Sequence, residues 1–572
     1  MVTAGPDAAT DKAQQSEGVS EIVVVTLSYA VLTFLMALPF SLSPGSQVVA
    51  DVPDTHLYIW TLAWDAHAFL HQPFRIFDAN IYYPFADTLA YSENLIGSAF
   101  LAAPIIWLTG NLVLAMNLTA LITSVLCGTG AFVLARRLHV TLAGAFICGL
   151  IFAFAPPRFF RLGQLHMTAV QWIPFSLAFL HSYLDRGRRR DLLLAIACFS
   201  LQALSSGHGA VYLLLSIVAL LGWHCALTRE VAIKRWLTDV GAAGAYLLAP
   251  SVWVMLPYRI AQNEAGLRRT YQAGALPGIE SFLASPSRFH LYLQAKFLGP
   301  FTKEADAYLF PGFLVLILAA IAVTSCPARR PPSPFGLRRA SRWHDPTAFY
   351  FLIAVLSTLT FVDRPFELWR YLYWLPGFNF IRVPSRFIVL TMLALAVLAG
   401  MGFDRITARA SRRAVAIGFV AIAALLLGEY SSYPFAGVPY RVDVPAIDRW
   451  LDTQPKPFVV AEVPVPSPGD LGALERQQTE SMLHATAHWQ KTVHGYSGIR
   501  RPRHDQLYLD MNAFPDATSI NSLREVGVHY VVVHTNEYAG RWPSVEQQIA
   551  RTPALRLEHV EGPGRVYSIL PP

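Results

Sequence analysis

The chain has 572 residues, of which 54% are hydrophobic and only 15% charged, and its net charge is +7. A soluble protein of this length carries about 25% charged residues, so an ordinary globular enzyme is excluded and a large membrane body with one further domain is implied. Most of the basic excess lies in short loops between apolar runs, where it attracts anionic lipid and gives no reason to invoke nucleic acid.

Residues 1–20 are polar and unpatterned and read as a disordered cytoplasmic tail. The apolar run 21–41 is too long for a signal-peptide core and lacks a small-residue cleavage site, so it reads as a retained first span. Leu42 to Gly110 differs from everything after it. It carries Asp51, Asp54, Asp65, Asp78, Asp87 and Glu93 against a single strong base, Arg75. Among these acids stand Tyr58, Trp60, Trp64, Tyr82, Tyr83 and Tyr91, with His56, His67 and His71. Carboxylates beside amphipathic aromatics, just beyond a span, suit chemistry at a lipid–water interface. Two interfacial helices are expected in this loop. One begins at Asp54 and holds Trp60 and Trp64 near headgroups; the other is opened by Glu93 and runs to Gly110-Asn111, divided by Pro104. Asp65 and His67 are expected to face water or headgroups.

Further runs long enough for the bilayer lie at 111–134, 142–157, 168–184, 191–206, 209–227, 237–257, 307–325, 347–363, 384–403 and 414–430. With the N-terminus inside, the inner loops contain Arg136-Arg137, Arg188-Arg189-Arg190, Lys234-Arg235, Arg338-Arg339 and Arg412-Arg413. Every second loop is short and basic, as positive-inside topology requires. The chain therefore reads as an α-helical polytopic membrane protein, with a transmembrane domain at 21–430 holding about eleven spans and an outer domain at 431–572. All five cysteines (Cys127, Cys148, Cys198, Cys225 and Cys326) lie in spans or at an inner end, in no metal-binding spacing, and read as small buried residues.

The tail from Ser431 is long enough for its own core. Strand character at Phe458–Val463, a helix at Ala517–Val526 ended by Gly527, a strand at His529–His534 and a last strand at Arg565–Ile569 predict a soluble α/β domain. His484, His488, Trp489, His494 and Tyr496 crowd into 13 residues before and within Gly495-Tyr496-Ser497-Gly498. Flat rings with hydrogen-bonding edges suit a sugar, so a surface guiding the acceptor and plain packing of a small domain both stand. The gaps match no strong metal pattern.

There is no P-loop, dinucleotide fingerprint, HExxH or GxSxG. Coupled transporters bury acids or bases at mid-membrane. Here the nearest approach in the spans is Gln171, His181, Gln202 and His224, while the ionisable groups collect outside. That distribution favours an enzyme at the outer interface over a lipid or polysaccharide transporter, a flippase, or a non-catalytic scaffold for envelope assembly. An activated donor on that side would be attached to lipid.

A first span, a long acidic outer loop, and a second span ending in Ala135-Arg136-Arg137-Leu138 together resemble the GT-C membrane glycosyltransferases. Relatives in that class include the protein O-mannosyltransferases, the lipid A aminoarabinose and galacturonic acid transferases, and the YfhO-like proteins. In local sequence the resemblance is strongest at Asp54–Trp64, Tyr82-Tyr83-Pro84, Ser92-Glu93-Asn94 and Ile381–Phe387, with His488-Trp489 and His494–Gly498 in the tail. It implies a polyprenyl-phosphate-linked sugar as donor and an envelope glycan, lipid or protein as acceptor, at the outer face of a bacterial inner membrane. Asp54 matches the first-loop acid of the family and is the expected general base, with N-capping of its helix as the structural alternative. Asp51 is the fallback, and Glu93 either positions the acceptor or orients Asp54. Arg382 and Arg386, four residues apart at the outer entrance to the tenth span, share a helical face. They suit phosphate, with Arg268, Arg269, Arg158 and Arg161 as weaker candidates. His208 is a candidate lining residue for a cavity, or a plain turn. No cofactor is expected; a divalent metal is compatible with the acids, but no spacing demands one.

The alternating arginines generate a direct expectation. Reporter fusions after Arg190 and Arg342 should report the cytoplasm, and fusions after Gly274 and Tyr440 the outer compartment. An outside signal at Arg342 with an inside signal at Tyr440 would overturn the order.

Overall fold

The computed structural model describes residues 6–228, 233–264, 276–297, 308–325, 345–363, 367–375, 378, 381, 383–467, 469–499 and 501–571. Cys326, Arg268, Arg269 and Arg382 lie outside the described residues. A helix occupies each of the eleven apolar stretches, from Pro6–Met36 and Leu112–Arg137 to Ile388–Thr407 and Arg412–Glu429. Among the described residues, six helical stretches are long and apolar enough to cross a membrane by length and composition: Val19–Met36, Leu112–Arg137, Leu142–Phe159, Gly207–Thr228, Ile233–Glu264 and Pro384–Thr407. The others are shorter, or begin on paired arginines as Arg189 and Arg412 do.

The chain packs as two compact units, one of residues 1–43, 118–252 and 269–436, the other of 44–117, 253–268 and 437–572. In the first, Ile388–Thr407 is the central helix and packs on Phe313–Thr324, Leu142–Phe154 and Pro346–Leu359. Small residues make that packing close, as membrane helices require. A Cβ on Gly402 would lie 2.0 Å from the Leu318 carbonyl oxygen. Buried Glu429 ends the helix Arg412–Glu429, and its carboxylate accepts from the backbone N–H groups of Phe313 and Leu314. These are first-turn donors of the helix Phe313–Thr324, whose N-cap Gly312 has no side chain to satisfy them.

The second unit is built on a five-stranded sheet. In chain order its strands are β3 (Val459–Val463), β4 (Lys491–Thr492), β5 (Tyr530–His534), β6 (Leu555–Glu561) and β7 (Gly564–Ile569), following a separate antiparallel pair, β1 (Gln47–Val48) and β2 (Val438–Pro439). The spatial order is β4-β3-β5-β7-β6, with β3 parallel to β4 and β5, and β7 antiparallel to β5 and β6. Alternation divides the sheet into two cores. Val459, Ala461, Val463, Val531 and Val533 pack with Leu507, Tyr508 and Leu523; Val460, Val532 and Val566 pack with Ile447 and Leu451. The expected strands at 458–463, 529–534 and 565–569 lie on β3, β5 and β7, and the helix Ala517–Val526 ends at Gly527 with φ 89°.

The first outer loop belongs to this unit. Its helix Pro53–His71 is buried without a break from Thr55 to Ala66. Trp60, Trp64 and Asp65 are 1%, 2% and 0% exposed, so they form interior rather than facing headgroups or water. The reason is that the helix is aromatic or apolar on every side and must be covered all round. The second loop helix, Ile96–Thr109, packs against it and begins after Glu93, with the Asn94 side chain accepting from Ile96 N–H. Backbone pairing joins loop and tail. Thr492 N–H donates to Asn80 O (2.8 Å), Tyr83 N–H to Thr492 O (3.0 Å) and Tyr82 N–H to His494 O (2.9 Å). Lys491 Nζ adds an ion pair with Asp78 at 2.7 Å.

Glu429→Ala, which strips two N–H groups of a charged acceptor, should destabilise the protein by about 2 kcal/mol. Glu429→Gln should recover part of that loss. Thermal unfolding of the purified protein in detergent measures both; equal stability of Glu429→Ala and the parent would remove the capping role.

Candidate functional site

Asp54 stands in the first turn of Pro53–His71, but the N-cap position belongs to Val52, which makes no side-chain cap. The capping alternative therefore fails for Asp54. Its Oδ1 instead accepts a 2.8 Å hydrogen bond from the Tyr496 hydroxyl, across 442 positions of chain. Burial, and after it the charge of Asp54, raise the Tyr496 phenol above its ordinary value, so the hydroxyl keeps the proton it donates. That hydrogen bond orients the carboxylate.

Tyr496 is held there by close backbone packing. Tyr82 takes a positive φ of 58°, its hydroxyl lies 3.1 Å from Ser497 Oγ, and its ring covers Gly495. A Cβ on Gly495 would fall 2.3 Å from that ring, so only glycine lets Tyr82 approach. The two short motifs Tyr82-Tyr83-Pro84 and Gly495-Tyr496-Ser497-Gly498 are thus two sides of one contact.

Asp51 is engaged elsewhere. Its carboxylate lies 2.8 Å from His56 Nε2 and 3.4 Å from Arg476 Nη1. Burial lowers the His56 pKa, which favours the neutral ring. His56 Nε2–H then donates to Asp51, and Thr479 Oγ1 lies 3.1 Å from Nδ1. An acid paired with a guanidinium and an imidazole is a tether between the loop and the helix Leu471–His484. Glu93 is half-buried between Ser92, whose carbonyl accepts from the Tyr258 hydroxyl, and Asn94, whose amide donates to it.

In the tail, His488 and His494 are 2% and 0% exposed. His494 Nε2 accepts from Glu462 N–H and its Nδ1 contacts the Tyr508 hydroxyl. With both ring nitrogens occupied, His494 braces the sheet and cannot meet a sugar. His488 packs on Phe458 and accepts from Gln490 N–H. For these two residues the expected acceptor surface gives way to packing, because the crowded segment runs through the domain interior. Trp489, half-buried with φ 57°, stacks on His67 at 4.3 Å, and His67 stacks on His71 at 4.2 Å. Burial, with the charges of His71 and Lys456, lowers His67 to about 4, so the His67 ring is neutral at pH 7.

Sequence reading missed two things here. Arg476 and Thr479 were unremarkable on an unassigned helix, and no local signal could pair them with Asp51 and His56. Asp65 is expected to face water or headgroups, yet both its oxygens lack a hydrogen-bond partner among the described residues and burial raises its pKa well above the ordinary value. Its aromatic and apolar neighbours, Trp60, Leu62, Ala63 and Trp64, were the available sign.

The first unit holds its own polar group. The short helix Leu165–Thr168 packs against both Pro156–Phe159 and Gly207–Thr228. His166 and His208 thereby come within 5.9 Å, ring to ring. Arg158 and Arg161 are 3% and 7% exposed. Arg158 binds the carbonyls of Phe152 and Ala153, and its Nη1 has no partner among the described residues. Gln171, fully buried, lacks partners for both amide atoms among the described residues. Arg386 lies on the turn Pro384–Phe387, leading into the helix that packs on Pro156–Phe159, and its Nε is likewise buried and unpartnered among the described residues. Buried cationic donors left without acceptors are what an anionic ligand satisfies.

No family model matches this sequence, and no curated protein does. Among solved structures, the arabinofuranosyltransferase AftD from Mycobacteria is similar with a TM-score of 0.54 and 17% identity, over 96% of this chain and 41% of that one. ArnT from Cupriavidus metallidurans in the apo state gives 0.49 at 14% identity, over 97% and 98% of the two chains. The archaeal oligosaccharyltransferase AglB from Archaeoglobus fulgidus, in complex with an inhibitory peptide and a dolichol-phosphate, gives 0.45 at 13%, over 92% and 70%. The likeness to AftD shows that this chain shares the fold of that protein.

Gly495→Ala should lower the unfolding temperature by several degrees, since overpacking against an immobile ring costs about 1–3 kcal/mol. Gly540→Ala, where the added Cβ meets nothing within 4 Å, is the control. Matching melting curves for the two variants would mean that the Tyr82 contact yields freely.

Proposed function

We propose that the chain is an integral-membrane glycosyltransferase moving a hexosyl or pentosyl group from a polyprenyl-phosphate donor. The acceptor is a hydroxyl of an envelope glycan, lipid or protein at the outer face of a bacterial inner membrane. The observation that carries this reading is the Tyr496–Asp54 hydrogen bond, which orients a first-loop carboxylate from the tail of a GT-C fold. The likeness to a protein named as an arabinofuranosyltransferase supports glycosyl transfer as the reaction class.

In this reading Asp54 takes the proton of the acceptor hydroxyl as its oxygen attacks the anomeric carbon. The bond from that carbon to the phosphate oxygen breaks, and the lipid phosphate leaves with the bonding pair. General-base help of this kind is worth about 10²–10⁴-fold. Charge grows on the departing phosphate, where guanidinium donors stabilise it. On sequence grounds the candidates for that role are Arg382, Arg386, Arg268 and Arg269, with Arg158 and Arg161 as weaker ones. Asp51 is a support for the loop rather than a second base, since its charge is already spent on Arg476.

Asp54→Asn keeps size and removes basicity, so transfer should fall by about 10²–10⁴-fold with folding and donor binding retained. Tyr496→Phe should cost about tenfold, because the carboxylate is kept but loses its orienting donor. Turnover of polyprenyl-phosphate sugars by the purified chain measures both, and mass spectrometry of envelope glycans with and without the gene names the product. Near-normal turnover in Asp54→Asn would sink the base assignment. Substrate movement with no new glycosidic bond would turn the reading to transport.

A further inference from the structure

The sheet of the second unit reverses its winding between β3 and β5. From β3 the chain goes to β4 on one side, then crosses back to β5 on the other, and all three strands are parallel. The crevice beyond the carboxyl ends of such strands is where α/β sheets bind ligands. Glu462, next to last in β3, and His534, last in β5, stand at that edge, and His484 reaches it from the end of the helix Leu471–His484. Glu462 Oε2 lies 2.9 Å from His484 Nδ1 and 2.8 Å from His534 Nε2. All three ligand atoms fall within 4.8 Å of one another. The glutamate is 4% exposed and the imidazoles 17% and 12%, so the cluster is shielded but reachable.

A second observation comes from a different element. Asp448, on the helix Ala446–Asp452, is 1% exposed and neither carboxylate oxygen has a hydrogen-bond partner among the described residues. Its nearest ionisable neighbour is His488, whose Nε2 is 3.9 Å from Oδ1. A buried carboxylate without donors is costly, and it needs a positive charge nearby.

We propose that Glu462, His484 and His534 bind a divalent transition metal of the zinc type. Two imidazole nitrogens and one carboxylate oxygen are ligands that zinc takes, with a fourth position left for water. Ligand atoms around tetrahedral zinc stand about 3.3 Å apart for bonds of about 2.0–2.1 Å, so the two contacts open by roughly half an ångström on binding. The ion brings two positive charges to two buried acids, Glu462 and Asp448, and both imidazoles then bind as neutral ligands. It also anchors the end of the helix whose earlier turns carry Arg476 and Thr479, the residues that hold Asp51 and His56. The metal is therefore a brace for the domain and takes no part in the transfer step.

The test uses the full chain in detergent, stripped with chelator and titrated with zinc alone, with cobalt as the spectroscopic probe and magnesium as the hard-cation control. One equivalent of zinc should bind and raise the unfolding temperature, and cobalt should give visible bands of tetrahedral intensity. His484→Ala and His534→Ala should each weaken zinc at least tenfold. His559→Ala, which removes a half-buried imidazole beside Glu561, should leave zinc affinity unchanged. Less than stoichiometric zinc on the parent chain, or stoichiometric zinc kept by the double histidine variant, overturns the site. If the variants do not fold, X-ray absorption of the parent zinc complex decides: a shell with two imidazoles supports the assignment and any other shell rejects it.

Discussion

The backbone pairing of Asn80–Tyr83 with Thr492–His494 is the contact on which the second unit depends. A loop of this length carries many peptide groups, and each one buried without a partner would cost about as much as a lost hydrogen bond. Those of Asn80, Tyr82 and Tyr83 find their partners on the tail, at Thr492 and His494. Once that edge is paired, Tyr82 covers Gly495, Tyr496 points at Asp54, and Lys491 closes on Asp78. The orientation of the first-loop acid is thus decided by the last quarter of the sequence.

Burial and charge divide the acids of the loop into different kinds. Asp51 is consumed by Arg476 and His56, and Asp65 is sealed among aromatics where the neutral form is favoured. Asp54, half-buried and held by one neutral hydroxyl, is the one of these three whose surroundings suit proton transfer. The same logic sorts the tail histidines. His494 is fixed by two hydrogen bonds inside the sheet, whereas His484 and His534 converge on Glu462, whose charge and hydrogen bonds raise both against the opposing effect of burial.

The first unit shows how few polar groups a helical membrane body needs. Glycines at 144, 400 and 402 let its helices touch at the backbone, and Glu429 serves two amides that a glycine cap leaves bare. Polar groups gather instead at Arg158, Arg161, His166 and His208, where Arg158 Nη1 has no hydrogen-bond partner among the described residues.

The sequence alone determined the helices of the membrane body, because apolar run length is a local property, and it marked β3, β5, β7 and the helix ended by Gly527 through β-branched runs and a glycine stop. It also marked Asp54 and Tyr496 as separate candidates. Tertiary structure decided that they meet, that Trp60, Trp64 and Asp65 are interior, and that His488 and His494 pack rather than face an acceptor. Composition could not separate an aromatic helix lying on a membrane surface from one buried on all sides, since both need the same residues. Nor could spacing along the chain bring Glu462, His484 and His534 together: they come from two strands and a helix end, and only the winding of the sheet joins them.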